Sequence, residues 1–353
     1  MTTKEKVFII ITPGFAKDEA DQNCIPTQQH FIRCLNKLLP DVKLLILALN
    51  YPYKKGKYQW YGNTVFSFNG KNRGGVIKLL VRRQAYSILE EINVEHEITG
   101  ILSFWYNESA LIGKRFANKY GLIHKCWMWG QDARPGNKYI NRVRLLPEDI
   151  VVLSDFLQDE FERNYHISPH HIIPPGIEEE LYGSTNDQRD IDLIAAGSLI
   201  ELKRYDIFIS VVEKLNFQKR DIKAVLFGDG PEKQKLQDLI SSKNLEDTIK
   251  LVGELPHQEL LKYMQRAKVF LHPSAYEGFG IVCIEALFAG CNVVSFCKPM
   301  DQTISRWYIV DNEGDMIREA LELLGRSEHK SDQPFQFMIE DTIKKFIELF
   351  HLK

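Results

Sequence analysis

"KVFLHPSAYEGFGIVCIEALFAGCNVVSF" (residues 268–296) changes character repeatedly along its length. It opens on an apolar, β-branched run and passes through the loop "AYEGFG". "IVCIEALFAG" then has helical propensity and stops at Gly290, and a second β-branched run, "NVVSF", closes the stretch. Strand, loop, helix and strand make a βαβ unit, in which the buried strands read as near-continuous apolar runs. Gly278 and Gly280 let the backbone approach a ligand closely. The helix start behind them offers unpaired N–H groups and the positive end of a dipole, which suits a phosphate. Glu277 stands in the loop before that start, and Glu285 about one turn inside the helix. A carboxylate with two acceptor oxygens matches a vicinal diol such as a ribose. Glu285 is therefore a candidate for a ribose, and Glu277 for the group beyond the phosphates. Ribose, phosphates and a polyhydroxylated group in a row describe a nucleotide sugar.

The same alternation runs outward through the chain. "KVFIII", "VKLLILAL", "GILSFW", "KCWMW" and "DIVVLS" are strand candidates in the first half, and "IDLIAAG", "IKAVLFG" and "TIKLVG" precede the opening stretch in the second. Helical patterns such as "PEKQKLQDLISSKN" and "PHQELLKYMQRAK" separate most of them, each with Pro at a first helical position. The polar stretch "YGSTNDQRD" (182–190) has no periodicity and reads as a linker. The expectation is α/β: two Rossmann-like, doubly wound domains, 1–184 and 185–335, facing a central cleft. The C-terminal helix, in 336–353, packs on the core or returns to the N-terminal domain. Ligands of such sheets sit beyond the carboxyl ends of the strands.

The totals set bounds. The chain has 353 residues, 44% hydrophobic and 26% charged, with net charge −2, so nucleic acid is not an expected partner. Residues 1–165 carry 23 Lys and Arg against 17 Asp and Glu, and the remainder 22 against 30. That asymmetry can steer an anionic ligand or graze a membrane surface, or simply be solvated faces. The six cysteines form no CxxC, which fits reduced thiols in a cytoplasmic protein. The N-terminus reads as a strand, and no apolar run approaches a membrane span. None of the ten histidines has metal-ligand spacing, so neither a metal nor another cofactor is expected.

"HPSAYEGFGIVCIEALFAGCNVV" resembles the E-x7-E signature of the large family of retaining GT-B glycosyltransferases, group 1. "LIAAGSLIELKRYDIFI" (193–209), "VLFGDGPEKQKLQDLI" (225–240), "LVGELPHQELLKYMQRAKVFLHPS" and "IIPPGIEEELY" (172–182) are similar to that family's successive segments, in order. The resemblance implies transfer of a hexose-type sugar from a nucleotide-diphosphate sugar to a saccharide or lipid-linked saccharide, in bacterial cell-surface polysaccharide assembly. It implies catalytic roles for Glu277, Lys203 and Asp132. Glu285 would bind the ribose, while Lys203 with Arg204 would neutralise the diphosphate. The amides of Gly278, Phe279, Gly280 and Ile281 would complete the phosphate site. Gly197 and Gly14 would belong to loops around the donor, and Leu255 would contact the base. It also implies a cytoplasmic enzyme, peripheral at most at the inner face of the membrane.

Several positions depart from that pattern. Ser198 replaces the family's usual Arg, and Trp129 its usual His. Gly14 stands alone where relatives have two or more glycines. "DID" (190–192) reads as linker and "GDG" (228–230) as a turn. His272 is either a ligand contact or a buried, hydrogen-bonded histidine. The acceptor is read from Trp105, Trp127 and Trp129, placed at strand ends where aromatic faces can pack on a sugar ring; core packing is the alternative. The basic segment "YPYKKGKYQW" (51–60) could instead hold an anionic acceptor at a membrane. Other readings are a GT-B sugar-nucleotide epimerase and a non-catalytic nucleotide-sugar-binding protein.

Overall fold

The computed structural model describes residues 4–183, 189–219, 221–326 and 335–352. The chain forms two compact units, one made of Met1–Gly176 with Met338–Lys353 and the other of Ile177–Phe337. Residues 184–188 of the expected linker lie outside the described residues. Residues 177–183 go with the second unit for a local reason. The Ile177 amide donates to the Phe337 carbonyl (2.8 Å), and Gln265 Nε2 donates to the Tyr182 carbonyl (2.7 Å).

In the first unit the strands are β1 (Lys6–Gly14), β2 (Lys43–Tyr51), β3 (Gly56–Trp60), β4 (Asn63–Ser67), β5 (Glu97–Phe104), β6 (His124–Trp127), β7 (Ile150–Val152) and β8 (His171–Ile172). Among the described residues they form one sheet in the order β3-β4-β2-β1-β5-β6-β7-β8. Only the β3–β4 hairpin is antiparallel. Helices α1 (Pro26–Leu38), α2 (Gly75–Glu95), α3 (Glu108–Tyr120), α4 (Gly130–Ala133), α5 (Ile140–Val143) and α6 (Asp155–Tyr165) lie between them. Val7 to Ile11 of β1 are fully buried on both faces, as a central parallel strand requires. α3 starts where the Asn107 side chain accepts from the Ser109 amide (2.9 Å), and ends at Gly121 with φ +67°. The C-terminal helix Ile339–Leu349 belongs to this unit. Its Phe346 ring packs on Phe31 and Trp127, and Phe350, just beyond it, meets Phe8 edge-on at 4.8 Å. Gly100 in β5 makes room for it, since a Cβ there would sit 2.6 Å from the Phe350 ring.

The second unit has β9 (Ile191–Ala196), β10 (Ala224–Phe227), β11 (Ile249–Gly253), β12 (Ala267–His272), β13 (Asn292–Ser295) and β14 (Trp307–Ile309). Its helices are α7 (Tyr205–Gln218), α8 (Lys233–Ser242), α9 (His257–Gln265), α10 (Ile281–Phe288) and α11 (Glu313–Gly325). The sheet order is β11-β10-β9-β12-β13-β14, all parallel. This is the doubly wound order, whose direction reverses between β9 and β12 and opens a crevice at their carboxyl ends. α7, α8 and α11 bury Phe208, Leu236, Met316 and their neighbours in one apolar cluster with the sheet.

Candidate functional site

Two loops leave the sheet of the second unit at its switch point. One follows β9 through Gly197 and a single 3₁₀ turn, Glu201–Lys203, into α7; the other follows β12 through residues 273–280 into α10. They are tied together by the Ala275 amide, which donates to the Leu202 carbonyl (2.9 Å). Lys203 Nζ donates to Glu277 Oε1, and His272 Nε2 lies 3.0 Å from the same oxygen. Burial pushes the Glu277 carboxyl up. The His272 hydrogen bond and charge, with Lys203, outweigh that and hold it at about 2. His272 is thus the buried, hydrogen-bonded histidine of the two alternatives, its partner being the candidate carboxylate. Gly197 has φ +150°, and a Cβ there would press 2.6 Å from the Tyr205 hydroxyl, which is buried and has no hydrogen-bond partner. The "GDG" stretch forms the turn after β10. It packs so closely that a Cβ on Gly228 would overlap the Gly197 carbonyl oxygen.

Glu285 stands one turn into α10, behind Gly280, whose φ of +85° only glycine adopts freely. His257, the first residue of α9, lies 2.7 Å from Glu285 Oε1 through Nε2. Burial lowers the affinity of this imidazole for a proton, but the bond to Glu285 and its charge outweigh that and raise its pKa. Leu255 is half-buried two residues earlier, in the same β11–α9 connection. Candidate base, ribose and diphosphate residues therefore lie along neighbouring loops at the carboxyl end of one sheet. His257 was missed from the sequence. The available signal was its position just after Leu255 at a helix start. Glu285→Ala is expected to weaken nucleotide binding by roughly 1.5–3 kcal/mol, the worth of a charged hydrogen bond, read by calorimetry with UDP and GDP.

Two further donor candidates differ in what they offer: Arg204 faces solvent, and Phe279 offers only its backbone, the part the resemblance assigns to the phosphates. Arg204 is exposed, with its guanidinium 5.7 Å over the Phe296 ring. Its backbone is left-handed at φ +50°. Phe279 is 2% exposed and packs on Trp307 and Phe337, so that only its backbone is available to a ligand. Asp190 and Asp192 of "DID" are engaged by Arg266 and Lys268.

In the first unit the switch point falls between β1 and β5. An open cavity of about 430 Å³ there is lined by Gly14, Asn50, Trp105, Asn107 and Gln131. Trp105 follows β5 in the left-handed region (φ +67°) and stacks on Trp129 at 5.4 Å. Trp127 is a correction: at 1% exposure it is core, its Nε1 donating to the Ile173 carbonyl (3.2 Å). Nor do Trp127 and Trp129 share a strand face, because β6 ends at Trp127 and Trp129 leads into α4. Asp132 is corrected as well. Its Oδ2 accepts the amides of Trp129 (2.9 Å) and Tyr106 (3.0 Å), so that at 4% exposure it is a buried group that fixes two strand exits. Burial raises its carboxyl to about 7, although those amide bonds oppose the rise. A folded pKa above the ordinary 3.8 stabilises fully below about pH 4 and loses that stability as pH rises through 7. Asp132→Asn should therefore flatten the fall in urea midpoint between pH 4 and 8, recovering up to about 4 kcal/mol at the upper end.

Paired doubly wound units, with the site residues at their strand ends, define the GT-B class of α/β proteins. Solved structures agree on the fold. Sucrose-phosphate synthase from Thermosynechococcus elongatus superposes with TM-score 0.72 at 16% identity, covering 98% of each chain. An Anabaena protein solved with UDP and glucose gives 0.69 at 14%, covering 99% of this chain and 100% of that one. Residues 177–323, which lie within this second unit, match the family of glycosyl transferases group 1. A 2-deoxystreptamine N-acetyl-D-glucosaminyltransferase of Niallia circulans is 31% identical over 28% of this chain and 25% of its own length. The GtfA subunit of a UDP-N-acetylglucosamine–peptide N-acetylglucosaminyltransferase of Streptococcus pneumoniae is 26% identical over 48% and 34%. The matches thus span about a quarter to a third of these relatives.

Proposed function

We propose that the protein is a retaining, metal-independent glycosyltransferase that moves a hexose-type sugar from a nucleotide-diphosphate sugar to a saccharide or lipid-linked saccharide acceptor. The carrying observation is the Lys203–Glu277–His272 cluster beside the start of α10, with the Glu285–His257 pair one turn further along it. Glu285 takes the ribose and Leu255 the base. The amides at Gly278 to Ile281 take the phosphates, joined by Lys203 when the donor enters. Breaking the sugar–phosphate bond builds negative charge on the diphosphate, which a fixed cation and oriented amides stabilise. Glu277 carries its charge at neutral pH, placing an anion where the sugar develops positive character. The leaving phosphate then accepts the proton of an acceptor hydroxyl that attacks from the same face, and the anomeric configuration is kept. The cavity between β1 and β5, with Trp105, is the acceptor's place, and bacterial cell-surface polysaccharide assembly is the setting.

UDP-N-acetylglucosamine is the donor to try first, since UDP and N-acetylglucosamine recur in the relatives. Purified protein incubated with a panel of UDP- and GDP-sugars should release nucleotide in the presence of a saccharide acceptor. An isomerised donor, or binding without release, would replace this reading. Activity should persist in EDTA; complete loss with rescue by Mn²⁺ would contradict metal independence.

A further inference from the structure

Among the described residues, the charged groups that line the cavity between β1 and β5 are Arg73, Lys78 and Glu108. Arg73 lies just before α2, Lys78 in its first turn and Glu108 at the start of α3. Glu108 is 7% exposed and already satisfied. Arg82 Nε donates to its Oε1 (2.5 Å), and the Tyr139 hydroxyl donates to its Oε2 (2.8 Å). Burial pushes this carboxyl up, but those two bonds, with the charges of Arg82 and Lys78, outweigh it and hold it below the ordinary carboxylate range. Arg82 therefore balances its charge from behind the cavity wall.

The two remaining cations are surplus to that balance. Lys78 Nζ is 3.4 Å from Glu108 Oε2, farther than the Tyr139 hydroxyl is from the same oxygen, and the Lys78 side chain is 37% exposed. Arg73 is exposed, and among the described residues its guanidinium has no ion pair. A concave place with uncompensated positive charge concentrates anions. The donor's phosphates do not call for these cations, because Lys203 and the amides at the start of α10 serve them in the other unit. Neutral groups share the wall: Asn107, Gln131 and Trp105.

We propose that this cavity takes a saccharide bearing an acid group, a uronic acid carboxylate or a phosphate ester. The planar fork of Arg73 matches either oxyanion, and Lys78 adds a point charge beside it. Asn107 and Gln131 meet hydroxyls, and the Trp105 ring packs on the C–H face of the sugar. This rests on the reading of the cavity as the acceptor's place and narrows the acceptor to an acidic one.

The test is binding of the full chain, without nucleotide, to matched sugars followed by ligand-observed NMR titration. The pairs are glucuronic acid with glucose, galacturonic acid with galactose and mannuronic acid with mannose, and glucose-6-phosphate is the phosphate arm against glucose. In at least one comparison the acid should bind roughly tenfold more tightly, from two partly solvated cations acting together. The preference should shrink as salt is raised. Whether uronate or phosphate gives the larger preference identifies the acid group. Arg73→Gln and Lys78→Gln should each lower the preference roughly threefold, half of the combined effect in free energy, and together remove it. Neither side chain is buried, so the thermal midpoint should hold. No preference for the acid in any comparison, or a preference that survives the double substitution, would overturn the proposal. Because no donor is present, the outcome is independent of transfer: an acid-preferring cavity in a protein that never releases nucleotide would uphold this proposal and remove the transferase reading.

Discussion

Lys203→Ala lowers turnover roughly 10²–10³-fold, the loss that follows removal of one preorganised donor from a site where anionic charge develops. The structure sharpens this expectation. Lys203 is bound to Glu277 before any nucleotide arrives, with both side chains mostly shielded from solvent (18% and 17% exposed). Its ammonium is therefore already held in the crevice, from which it joins the amides on the phosphates when the donor enters. The substitution should act mainly on turnover, whereas Glu285→Ala acts on nucleotide affinity. Steady-state measurement of nucleotide release separates the two. Wild-type turnover in Lys203→Ala would remove this crevice as the reaction centre.

Glu277→Gln keeps the size of the side chain and removes its charge. Lys203 and His272 then face each other across an uncharged amide in a buried site, so the variant should lose transfer and roughly 3 kcal/mol of stability at pH 7. The acid response fixes the cause. With its folded pKa near 2, below the ordinary 4.5, the carboxylate stabilises the protein above about pH 4.5 and loses that contribution as pH falls toward 2. Wild type and variant should accordingly differ most at neutral pH and converge on acidification, as urea midpoints along a pH series will reveal. A constant gap would mean that lost packing, not lost charge, is responsible.

Much of the second unit was legible because its signals are local. Glycine positions, a helix start and two carboxylates eight residues apart fall within 268–296, and the alternation of buried strands with helices pointed to a doubly wound unit around them. What escaped depended on partners distant in sequence. His257 gains its meaning only from Glu285, on another helix. The resemblance implied a catalytic role for Asp132, yet the amides of Tyr106 and Trp129 claim it. Trp127 and Trp129 looked alike at a spacing of two, but the strand stops between them. The β3–β4 hairpin was missed for a different reason. Its two-residue turn is Tyr61–Gly62, with φ of +43° and +77°, and tyrosine is not a residue one expects in a left-handed turn. The placement of the C-terminal helix rests on aromatic contacts with residues at the opposite end of the chain, which no local pattern announces.

The return of that helix makes 177–337 an insert in a discontinuous host. Its two ends are stitched together by the Ile177–Phe337 hydrogen bond. On the host side, Gly176 is so close to Ile339 that a Cβ would fall 2.3 Å from the Ile339 backbone. Both pieces therefore have abutting termini, the arrangement in which domain insertion and circular permutation succeed. During synthesis the host cannot seat Phe346 until residues 177–337 have emerged, whereas the insert has its full complement of residues earlier. The second unit is consequently a transplantable cassette, exchangeable with a relative's at one pair of neighbouring junctions, leaving the host's own core sequence untouched.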